Sequence, residues 1–136
     1  MAYATIPDMI RRFGEEELVR ISTPAGQDLG GVVADVVESA LEDASSLMDS
    51  YIRRRYQTPL DVAPPEVVAN CATIARFNLS TGDGKTCSEE VRDRHKSAMA
   101  WLRDLSLGNV RLELDEVAPT VEETAAVYIG REATFR

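Results

Sequence analysis

Three stretches of this chain repeat apolar residues at the helical period, and proline or glycine fences each one. A chain patterned this way builds a small helical bundle, because each amphipathic segment must bury its stripe against another. In the first stretch Val33, Val37, Ala40, Leu41, Ala44, Met48, Tyr51 and Ile52 recur at steps of one, three or four. Glu38, Glu42, Asp43 and Asp49 fall between them on the opposite side. The spacing predicts a helix over 32–56, with Arg53, Arg54 and Arg55 in its last turn, where cations meet the negative end of the dipole.

The second stretch opens on Pro64-Pro65-Glu66, carries Val67, Val68, Cys71, Ile74, Ala75 and Leu79, and predicts a helix over 64–79. The third, over 88–107, turns Val91, His95, Ala98, Met99, Trp101, Leu102 and Leu105 inward. Thr86 and Ser88 are equally good caps for it, and Gly108-Asn109 ends it. Two shorter helices precede these three. One is capped by Thr5 or Ile6, has Pro7 in its first turn, and stops at Gly14. The other covers 15–21, and Glu15, Glu16 and Glu17 complement its positive end or face solvent.

After Gly108 the period changes from helical to alternating. Val110, Leu112 and Leu114 alternate with Arg111, Glu113 and Asp115, as in an extended segment. Pro119 interrupts it, and Val127-Tyr128-Ile129 is again β-prone. The expected fold is therefore mainly α: a helical body over 1–108 and an extended C-terminal arm over 109–136. A lone strand does not stabilise itself in water. The arm's apolar residues, Val110, Leu112, Leu114, Val117, Val121, Val127, Tyr128, Ile129 and Phe135, thus need the chain's own body or another chain to cover them.

Composition narrows the function. With 136 residues the chain makes one domain, and 44% hydrophobic against 28% charged residues is a globular balance. No apolar run approaches the ~20 residues of a membrane helix. Acidic residues outnumber basic ones 23 to 15, a net charge of −8 that repels DNA rather than binding it generally. Cys71 and Cys87 make no disulfide framework, so both are expected to be reduced thiols. Asp8, Arg11 and Arg12 interrupt the apolar start, which excludes a secretory signal there.

No catalytic constellation emerges. His95 is the one imidazole, and on a helix's inner face it reads as a packing residue, not a base for Cys71 or Cys87. One histidine and two distant cysteines do not make a zinc site, and neither Glu15-Glu16-Glu17 nor Glu42-Asp43 has a calcium loop's alternating ligands. Gly84-Lys85-Thr86 lacks the strand and glycine spacing of a phosphate loop. No cofactor and no metal are expected. Trp101, Tyr51 and Tyr56 read as core anchors. Arg53, Arg54 and Arg55 have two readings: a helix terminus, or contact with an acidic partner surface or a DNA backbone.

Several runs belong together: the opening Met1-Ala2-Tyr3-Ala4-Thr5-Ile6-Pro7-Asp8-Met9-Ile10-Arg11-Arg12-Phe13-Gly14; Ala40-Leu41-Glu42-Asp43-Ala44-Ser45, followed by Met48-Asp49-Ser50-Tyr51-Ile52-Arg53-Arg54-Arg55-Tyr56 and Pro59-Leu60; Cys71-Ala72-Thr73-Ile74-Ala75-Arg76-Phe77; and Glu90-Val91-Arg92-Asp93-Arg94-His95-Lys96-Ser97-Ala98-Met99-Ala100-Trp101-Leu102. As a set they resemble a family of small neck proteins in Mu-like phages and prophages. The resemblance covers roughly residues 1–110. That family's helical layout is similar to the head-completion adaptors of long-tailed phages, which form a ring of about twelve copies beneath the portal.

The resemblance implies a structural virion protein at the head–tail interface, assembled from the host cytoplasm and not an enzyme. Its partners would be sister copies, the portal, a downstream neck, stopper or tail protein, and genomic DNA passing without specific binding. No membrane is implied. The alternatives are a head-closure or tail-terminator protein, which would be β-rich, and a small helical regulator of a host protein, which would stay monomeric or dimeric.

Overall fold

A computed structural model describes residues 2–82 and 84–114. Its helices are α1 (Ile6–Phe13), α2 (Glu15–Ser22), α3 (Ala34–Ile52), α4 (Pro65–Thr81) and α5 (Glu89–Leu107). Among the described residues there is no strand, so the fold is a mainly α bundle.

The helix starts follow from local chemistry. The Thr5 hydroxyl accepts from the Asp8 N–H at 3.2 Å, and the Asp8 carboxylate accepts from the Thr5 N–H at 3.0 Å. This reciprocal box satisfies two donors that a helix start otherwise leaves bare. Ser88 caps α5 by accepting from the Val91 N–H at 3.3 Å, so it takes the role that Thr86 could have filled. Gly14, at φ +90°, lets α1 end and α2 begin with no linker. The α3 helix starts at Ala34, two residues later than its apolar pattern suggests, because Val33 is extended and donates its N–H to the Ser22 hydroxyl at 3.1 Å.

The three long helices pack on one another, and α1 and α2 close one side. Val37, Leu41, Met48 and Ile52 of α3 are buried with Ile74 of α4 and Leu102 and Leu105 of α5. Met9 and Leu18 join the same core. Tyr56 is fully buried, while Tyr51 and Trp101 lie half-buried against the core.

Two polar ties hold the layers together. The first is Tyr3. Its N–H donates to the Ser45 hydroxyl at 2.9 Å, and its phenol donates to Asp49 and accepts from the Leu60 N–H at 3.0 Å. One side chain therefore links the N-terminal segment, α3 and the loop after α3. The second is Arg76 on the buried face of α4. Its Nε and Nη2 donate to Oε2 and Oε1 of Glu17 at 2.5 and 3.0 Å. The guanidinium also lies 4.4 Å from the centre of the Phe13 ring. Glu17 was expected to serve the α2 dipole or face solvent; instead it neutralises a buried cation, because α2 lies against α4 at this point.

Removing one member of such a pair strands the other charge. Arg76→Ala is expected to cost about 3 kcal/mol, whereas replacing Arg76 and Glu17 together by Met and Leu costs less than either single loss. A double-mutant cycle by urea unfolding measures this. Burial, reinforced by the hydrogen bond to Asp49, raises the Tyr3 phenol from its ordinary 10.0 to about 12. The folded state thus favours protonated Tyr3, and its contribution is complete below pH 10 and lost as pH rises toward 12. Alkaline unfolding of the protein should lose a step in that window when Tyr3 becomes Phe.

Candidate functional site

The chain leaves its helical body at the end formed by the C-termini of α3 and α5, and the arginine triplet stands at the same end. After Ile52 the backbone turns instead of continuing as helix: Arg55 and Tyr56 both donate N–H to the Ile52 carbonyl, at 3.0 and 2.9 Å. The expectation of a helix to residue 56, with arginines in its last turn, is corrected here. No basic residue lies in the last turn of α3. A continued helix would put Tyr56 about 40° round from the fully buried Ile52, at the edge of the buried stripe. Tyr56 is one of the largest fully buried side chains.

The three arginines then diverge. Arg53 and Arg54 are exposed, and the Arg53 Nε donates back to the Asp49 carbonyl at 3.0 Å. Arg55 reaches across to α5, where its Nε donates to the Ser106 carbonyl at 3.3 Å. Its guanidinium lies over Gly108, which ends α5 at φ +86°. A Cβ at position 108 would stand 2.7 Å from the guanidinium carbon. Glycine is favoured there by the left-handed turn, while the guanidinium end of Arg55 could shift to make room for a Cβ.

Beyond Gly108, Val110 packs against the core and Leu112 is buried in it. The Leu112 N–H donates to the Tyr56 hydroxyl at 2.9 Å. Arg111 and Glu113 are exposed, so the alternation continues through this stretch without a paired strand. Leu114 is 38% exposed. The structure thus brings Arg55 to the end of α5 and Tyr56 to Leu112 at the root of the arm, while Arg53 and Arg54 face solvent. Val117, Val121, Val127, Tyr128, Ile129 and Phe135 lie outside the described residues.

The thiols and the imidazole do not converge. Cys71 is buried with its Sγ 3.4 Å from the Ser45 hydroxyl, and burial pushes its thiol up. His95 stacks on Phe77, ring centres 3.8 Å apart and planes 10° apart, and burial lowers its pKa. Lys85 donates to the carbonyls of Ile21 and Thr23, both at 3.1 Å, and so closes the C-terminal end of α2. Among the described residues no group of three or more His, Cys, Asp and Glu is placed to hold a metal. No described helix is long and apolar enough to cross a membrane.

Sequence reasoning missed Arg76 and Tyr3. Arg76 stands four residues after Ala72 and three before Leu79, so its place on the buried stripe was readable. Tyr3 lies before the first helix, where no period marks it.

A family model described as Bacteriophage Mu, Gp36 matches residues 3–129. The chain belongs to this family. The match runs past residue 110, where the sequence resemblance was taken to stop, and includes most of the arm. The Mu-like prophage FluMu protein gp36 of Haemophilus influenzae is 31% identical over 121 residues, 88% of this chain and 82% of that protein. Gene product J of Escherichia phage Mu is 30% identical over 108 residues, 79% and 74% of the two chains.

Because Val110 and Leu112 belong to the core, where the arm is cut matters. A chain ending at residue 109 loses both side chains and the Tyr56 hydrogen bond, and should unfold at clearly lower urea than one ending at residue 114. Tyr56→Phe alone leaves the buried Leu112 N–H without its acceptor and should cost about 1 kcal/mol.

Proposed function

We propose that this protein is a head–tail connector adaptor: a structural virion protein that forms a ring of about twelve copies beneath the portal and joins the DNA-filled head to the neck and tail. The kinship with gene product J of phage Mu carries this reading, because it ties the chain to a phage gene set. The described residues, helical and without a strand, favour an adaptor over a β-rich closure or terminator protein. The net charge of −8 suits a channel wall past which DNA slides without binding.

In this role the helical bodies are the wedges, and the residues following the Arg53–Leu112 end extend to the portal or to a neighbouring copy. The protein waits in the host cytoplasm, acts at the virion neck, and needs neither cofactor nor membrane. Its purpose comes from contact with copies of itself, the portal, and a downstream neck or tail protein.

Electron microscopy of the full chain with and without its portal tests the reading. A ring stacked coaxially on the portal is the expected result. A chain that stays free of the portal, or virions that lack it, would overturn the adaptor role.

A further inference from the structure

Charge is divided along α3. Its exposed side carries Asp35, Glu38, Glu42 and Asp43 and no cation, while Arg53 and Arg54 stand just past its other end, where the remaining acid of the helix, Asp49, is half-buried and takes the Tyr3 phenol. Asp43 and Arg53 are ten positions apart, roughly 15 Å along the axis. Each pole has an apolar feature of matching kind. At the acidic pole α3 and α4 border a shallow, open groove of about 470 Å³, lined by Val36, Ala40 and Leu79 and by Ser39 and Asn78, with Asp35 and Asp43 beside them. At the basic pole Leu107, the last residue of α5, is 60% exposed. It is flanked by Ser106 and Gly108, the two residues that Arg55 reaches.

One pole is therefore a shallow, partly apolar groove flanked by carboxylates, and the other an exposed leucine beside the Arg55 guanidinium. We propose that these are the two halves of one contact between copies of this chain: Leu107 of one copy enters the α3–α4 groove of the next, and Arg53 and Arg54 face Asp35 and Asp43. The two halves occupy different places on one molecule, so the contact is head-to-tail and every copy can make it twice. Such a contact closes into a ring or runs on as a filament. A second copy is the occupant that the charges select, since two like poles repel and two unlike poles attract. The inference rests on the ring reading above and gives that ring its lateral contact.

The test uses two full-length charge reversals, Asp35→Lys with Asp43→Lys in one chain and Arg53→Glu with Arg54→Glu in the other, followed by sedimentation at low and high salt. Wild-type chain is expected to self-associate at low salt and dissociate as salt rises. Each variant alone should associate more than about tenfold more weakly than wild type. Mixed in equal amounts, the two should associate again, because the reversed groove of one now fits the reversed arginine end of the other. That rescue also shows that both variants are folded. Leu107→Asp should weaken wild-type association without altering the helical circular dichroism.

A wild-type chain that is monomeric at every concentration and salt overturns the proposal, and so does association indifferent to the reversals. If the reversals spare self-association but weaken capture by the portal, the groove belongs to the portal. If the mixing experiment succeeds but no portal complex forms, the lateral contact stands and the adaptor reading falls.

Discussion

One face of α3 is the surface on which the other helices converge. α1, α2, α4 and α5 each pack against this helix, and Val37, Leu41, Ala44, Met48 and Ile52 form the stripe they cover. A single amphipathic helix with neighbours on several sides fixes most of the layout, because apolar burial of about 25 cal/mol per Å² is the largest favourable term available. The small residues Ala40, Ala44 and Ser45 on that face let neighbouring backbones come close.

The polar ties lie where apolar packing alone does not set the geometry. Leu and Met tolerate sliding, while a bidentate guanidinium–carboxylate pair tolerates very little. Glu17 and Arg76 fix α2 against α4. Tyr3 fixes the N-terminal segment against α3 and the loop that follows. Tyr56 does the same for the chain beyond α5 through the Leu112 N–H. Both ends of the described chain are thus held by a tyrosine hydroxyl that accepts a backbone N–H.

Most of this bundle was legible from spacing alone. The inner faces of α3, α4 and α5 fall nearly where the apolar period puts them, since burial of a stripe is a local property of sequence. The misses have a common cause. Arg53, Arg54 and Arg55 suit a helix terminus, yet α3 ends at Ile52 before them and Arg55 turns to Ser106, 51 positions away. Glu17 reads as a dipole partner until Arg76, 59 positions on, is placed beside it. Periodicity reports which face is buried and is silent on what a charged residue finds there. Arg55 and the root of the arm likewise look unrelated in sequence, and only the meeting of the ends of α3 and α5 joins them.

Helix dipoles do not explain the charge division along α3. The dipole acts within the first and last turns of a helix and is worth about 0.3–1 kcal/mol there. In α3 the first turn holds one acid, Asp35, and the last turn holds no base. Glu38, Glu42 and Asp43 lie beyond its reach at one end, and Arg53 and Arg54 follow the helix at the other. General solubility does not explain it either, since interspersed charges of both signs serve that purpose, as they do on α5, where Arg92, Asp93, Arg94 and Lys96 alternate. Unlike charges kept apart along and just past one helix repel a sister chain in one orientation and attract it in another. Segregation therefore selects a direction of approach, and a protein that assembles head-to-tail requires such a direction.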